Sequence, residues 1–147
     1  MSTDKTVAKN LINTLEDGTK GFADAADKLS DLGRPDLAAQ FRRFAEQRAG
    51  FSIDLENLAA IYGDDIDEDG TLLGAAHRGW MTLKDALAGS DPDGVLSAAE
   101  QGESYAIAQY ERALQEEISD GLRRMLEGQF AHVRAAHSAV HALKTMV

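Results

Sequence analysis

Between positions 37 and 62 the chain steps by four and three without a break through Leu37, Phe41, Phe44, Arg48, Phe51, Leu55, Leu58 and Tyr62. All but Arg48 are apolar or aromatic. Steps averaging close to 3.6 place every member on one face of a helix, whereas a strand would need a period of two. The rhythm returns in Leu11, Leu15, Gly18, Phe22, Ala25 and Leu29 and in Leu96, Ala99, Glu103, Ala106, Tyr110 and Ala113. It returns again in Leu122, Leu126, Gln129, Val133, Ala136, Val140, Leu143 and Val147. An apolar helical stripe is stable only when another element covers it. Four such stripes can cover one another, so the pattern predicts an all-α four-helix bundle.

The punctuation fits that reading. Gly33 suits the C′ position of a first helix over 4–29, and Pro35 suits the first turn of a second over 35–62. Asp91 and Pro92 read as the cap and first residue of a third helix over 92–117. Ser119, Asp120 and Gly121 read as a tight turn before the fourth. Helices in bundles are joined by about two to eight residues, yet 63–91 separates the second helix from the third. Within it Leu72, Ala76, Trp80, Leu83 and Leu87 share a helical face, predicting a short extra helix over 71–89. At 1.5 Å per residue that helix spans roughly 25 Å, enough to carry the chain from one end of a bundle to the other. The expected architecture is one domain over 1–147, two antiparallel pairs joined by a long crossover. His77 and Trp80 are the expected docking residues of that crossover, with Trp80 as its anchor.

Composition narrows the functions. Hydrophobic residues make up 44% and there are two prolines, which argues against disorder. There is no cysteine, so disulfides, thiolate metal sites and cysteine nucleophiles are excluded. No apolar run approaches the ~20 residues of a membrane span, and the start, MSTDKTVAKN, has no signal-peptide core, so a cytoplasmic protein is expected. The formal charge is −10 and the basic residues are scattered among acids. Neither nucleic acid nor a membrane is therefore an expected partner. The acidic run 64–69 lacks the bidentate glutamate of a calcium loop and reads as a solvated linker. No glycine-rich phosphate loop or nucleophile elbow is present.

The informative residues are the polar ones on apolar stripes. Arg48 stands at the middle of the second helix, Glu103 and His137 close to the middles of the third and fourth, and Glu16 beside the first stripe at the same height. Gln129 lies on the fourth stripe. These residues are expected to form one central polar layer. A buried charge costs several kcal/mol unless paired, and a guanidinium cannot shed its proton. Arg48 is therefore expected to pair with Glu103, with Glu16 as a further partner. His137 and His141, four apart, have a spacing that can chelate zinc or iron when carboxylates join. Without further context they read as a surface or core-edge pair. Glu100, one turn before Glu103, reads as solvated.

The stretches DGTKGF at 17–22, HRGW at 77–80, GESY at 102–105 and HVRAAH at 132–137 resemble an uncharacterised bacterial family of small ferritin-like four-helix-bundle proteins, catalogued as a domain of unknown function. The resemblance covers nearly the whole chain and implies a ferritin-like fold, but it carries no assigned activity. Active ferritin-like proteins hold two metals with carboxylates and a Glu-x-x-His from each of two helices. No glutamate here has histidine three residues later. At the matching heights stand Arg48-Ala-Gly-Phe51 and Arg134-Ala-Ala-His137. Beside this resemblance, the Arg48 guanidinium is expected to supply the charge that metals supply elsewhere in the fold.

The expected function is a non-catalytic bundle protein acting through protein–protein or self-association, a homo-oligomer included, with no cofactor. A stress-related role follows only by analogy with ferritin-like relatives. The alternative is a metal-binding or oxidoreductase protein holding iron or zinc on Glu16, Glu103, His137 and His141, with Gln129 nearby.

Overall fold

The computed structural model describes residues 2–61 and 91–145. Over these the chain forms four helices and no strand: α1 (Ser2–Asp31), α2 (Pro35–Ile61), α3 (Pro92–Gln115) and α4 (Asp120–Lys144). Their ends follow from local chemistry. Gly33 adopts φ +80°, its amide bonds the Ser30 carbonyl, and the Arg34 amide reaches back to Leu29. That is the Schellman arrangement, which needs a left-handed residue at C′. A Cβ on Gly33 would meet nothing within 4 Å, so only the backbone conformation selects glycine there. Gly33→Ala should cost about 1–2 kcal/mol, the left-handed penalty, read as a shift in the urea midpoint with an unchanged slope. A loss of a few tenths would show that the turn tolerates a side chain.

The Asp91 carboxylate accepts from the Gly94 amide at 2.8 Å, with Pro92 opening α3. Ser119 caps α4 by accepting from the Leu122 amide. Asp120 and Gly121, expected in a turn, instead form the first turn of that helix. An acidic residue there complements the helix dipole. Arg123, also in the first turn of α4, donates to the Leu114 and Glu116 carbonyls at 2.7 and 3.0 Å and so satisfies the end of α3. The Ser119 amide in turn donates to Asp4 of α1 at 3.0 Å.

α1 packs on α2 and α3, and α4 packs on α3 and α2, so each helix touches two others and the α2/α3 pair lies across the centre. Two apolar clusters fix the directions. One gathers Phe22 and Leu29 from α1, Leu37 and Phe41 from α2, Val95 and Leu96 from α3, and Val140 from α4. The other gathers Leu11 and Leu15, Leu55, Ala106 and Tyr110, and Leu122 and Leu126. The end of α1 thus meets the start of α2, the start of α3 and the end of α4. α1 and α4 run one way, α2 and α3 the other. Ile61 and Asp91 consequently stand at opposite ends of the molecule. The extra helix expected over 71–89, with His77 and Trp80, lies outside the described residues.

The face of α2 is turned from the one its sequence suggests. Phe44, Phe51 and Leu58 are only half-buried, while Ala45, Ser52 and Ala59 beside them are buried. The small side chains let α2 lie close to its neighbours, and the large ones close the edges of the groove.

Candidate functional site

The two apolar clusters leave a polar layer at mid-height. Arg48 of α2 and Glu103 of α3 meet there across the centre. The Arg48 Nη2 donates to Glu103 Oε2 at 2.6 Å and Nη1 donates to Oε1, a fork-to-fork pair. Arg48 is 1% exposed and Glu103 0%. The guanidinium carbon lies 5.2 Å from the centre of the Phe22 ring, so an aromatic face covers the cation. Its Nε has no hydrogen-bond partner among the described residues. Two buried charges of opposite sign, each meeting the other at two atoms, offset much of their desolvation, but a single one left alone would not.

A second polar contact lies nearby. The Tyr110 hydroxyl donates to Gln129 Oε1 at 2.7 Å, and Gln129 Nε2 donates to the Phe51 carbonyl at 3.2 Å. Burial pushes the Tyr110 hydroxyl well above the usual phenol range. The positive charge of Arg48 opposes that shift and Glu103 adds to it. The hydroxyl therefore stays protonated and serves as a donor. Phe130 stacks on the Tyr110 ring at 5.9 Å. Among the described residues Ser52, Asn13 and Thr14 are the other buried polar ones, none of which the stripe pattern singled out. Thr14 answers its own need by bonding the Asn10 carbonyl at 3.0 Å.

The remaining candidates are differently placed. Glu16 is half-buried on α1. His137 is half-buried, its Nε2 3.2 Å from the Ser104 hydroxyl. His141 is exposed, its Nδ1 2.5 Å from Glu100 Oε2. Glu100, expected in solvent, instead has its side chain only 19% exposed and accepts from Lys144 at 2.8 Å as well. The Lys144 ammonium and, less strongly, His141 hold its carboxyl below the usual range. The signal for this contact lay in α4, where His141 and Lys144 are three apart and so share a face. Glu103, by contrast, has both oxygens committed to Arg48. Among the described residues no three histidine, aspartate or glutamate side chains are set around a common point.

Chemically, the Arg48–Glu103 pair is closed to solvent and each member's charge is answered by the other. Its fixed geometry can hold the register of α2 against α3, because a shift of one turn in either helix would part the charges. The fold and layer define a class: over the described residues, an all-α arrangement of four helices whose centre is crossed by a buried ion pair. The chain belongs to the family described as a domain of unknown function (DUF2383), whose model matches residues 6–116. That match takes in most of α1 and all of α2 and α3, and hence both halves of the Arg48–Glu103 pair. No curated protein and no solved structure matches the chain. Among the described residues no helix is long and apolar enough to cross a membrane.

Proposed function

We propose that the chain is a ferritin-like four-helix-bundle protein of the bacterial cytoplasm that has no catalytic centre and works by associating with itself or another protein. The observation that carries this reading is the double contact of Arg48 with Glu103. In metal-bearing bundles of this kind the inward carboxylates are ligands. Here the mid-height carboxylate is already neutralised by a guanidinium that donates to both its oxygens. Support for association comes from α2, where Ile53 and Ile61 are 55% and 77% exposed. They stand two turns apart on α2 with the exposed Asn57 between them, two single apolar side chains that a partner would cover.

The test is iron loading and assembly together. Protein from iron-supplemented cells should retain well under one equivalent of iron after dialysis and should not speed the oxidation of Fe(II). Iron held at one or two equivalents and lost in Glu103→Gln would mean that the layer is a metal site after all. In sedimentation the chain should form a species larger than its 15.8 kDa monomer, reduced by Ile53→Glu. A monomer throughout the micromolar range would remove self-association.

A further inference from the structure

We propose that Glu100, His137 and His141 form a binding site for a divalent transition-metal ion of the zinc type, in the groove between α3 and α4 and separate from the buried layer. The two histidines lie four residues apart on α4, so their rings leave the same helical face one turn from each other. Two imidazoles so spaced can reach one ion, the principle behind histidine pairs on zinc-binding helices. α3 supplies the third ligand type from across the groove. Glu100 Oε2 is 2.5 Å from His141 Nδ1, so carboxylate and imidazole already converge.

The surroundings suit a cation. The groove, of about 620 Å³, is lined by Glu100, Gln101, Ser104, His137, Ser138 and His141, which leaves space for water to complete the coordination. Glu100 is held in place by its partial burial, and its other oxygen accepts from the Lys144 ammonium, a charge that the ion has to outcompete. The formal charge of −10 adds a long-range attraction for cations. Imidazole with a single carboxylate selects zinc-like ions over magnesium or calcium, which prefer shells of oxygen.

In the conformation described, His137 faces Ser104 and the three groups do not share a point. Side chains have to move for the three to meet. His141 is 66% exposed, His137 gives up one neutral hydrogen bond, and exposed side chains change rotamer in nanoseconds or less. The ion would then tie the first half of α3 to the last turns of α4.

The experiment is calorimetric titration of the untagged, dialysed full chain with Zn²⁺ alone. One saturable equivalent is expected, and His141→Ala and Glu100→Gln should each weaken it at least about tenfold. His132→Ala, an exposed histidine elsewhere on α4, should leave it unaltered, with circular dichroism verifying the fold of each variant. Absence of saturable binding by the wild type would overturn the assignment. So would binding that survives the double change His137→Ala and His141→Ala. Binding abolished by Glu103→Gln but not by Glu100→Gln would place the ion in the buried layer, and the metal-free reading of that layer would fail with it.

Discussion

Arg48→Met should lower the stability of this protein by about 3 kcal/mol, because it leaves the fully buried Glu103 carboxylate without a counter-charge. Arg48→Met combined with Glu103→Leu should recover most of that loss. Replacing a buried ion pair by apolar side chains of similar size is often neutral or stabilising, whereas removing one partner is not. The magnitude separates two origins of the effect. If Arg48 contributed only its methylene stem, methionine would keep that packing and the single change would cost little. Urea unfolding of the wild type, the two single variants and the double variant gives the coupling between the positions directly. A loss under about half a kcal/mol in Arg48→Met would show that the ion pair holds nothing together. The double variant also bears on why the pair is kept. If it is as stable as the wild type but no longer assembles as one defined species, the charges specify register more than they stabilise.

The second large effect is expected at Phe22. Its ring is fully buried, stands edge-on to Phe41 at 5.4 Å, lies 5.3 Å from Phe44, and roofs the Arg48 guanidinium at 5.2 Å. It thus belongs to one apolar cluster and forms the wall between that cluster and the polar layer. Phe22→Ala should cost about 4 kcal/mol, transfer and cavity terms together. Phe22→Leu, which keeps most of the volume and loses the π face, should cost about 1–1.5 kcal/mol. Part of the leucine penalty is the cation–π contact, of about 0.5–1 kcal/mol. That part should vanish when Phe22→Leu is made in the Arg48→Met, Glu103→Leu background. Thermal and urea unfolding of these variants reads both numbers. An alanine variant losing less than about 1.5 kcal/mol would mean that the surrounding side chains collapse into the gap and that Phe22 is no wall.

Gln129 and Glu100 show where reading the chain by periodicity stops. Both lie on positions the pattern marks correctly, one on a stripe and one beside it. Gln129 was a candidate metal neighbour because it is polar on an apolar face. Its partners turn out to be the Tyr110 hydroxyl and the Phe51 carbonyl. Tyr110 counted as apolar in the stripe, so its hydroxyl was not matched with an acceptor. Glu100 was assigned to solvent because nothing within α3 answers it. Its partners come from α4, forty-one and forty-four residues later; they share a face, but their spacing does not say which helix that face meets. The case of α2 is finer. A helical stripe is more than 100° wide, so its period cannot decide whether Phe44 or Ala45 faces the centre.

What the sequence determined by itself is therefore what local physics controls. The four helices, their ends at Gly33 and Asp91, and the two charges at Arg48 and Glu103 on faces that must be covered all depend on neighbours within a few residues. Tertiary structure alone decided which helices touch, how far α2 is rotated, and that Glu100 is clamped by α4. Those outcomes depend on the axial shift and rotation of one helix against another, set by packing between residues far apart in the chain, and a repeat of 3.6 residues is indifferent to both.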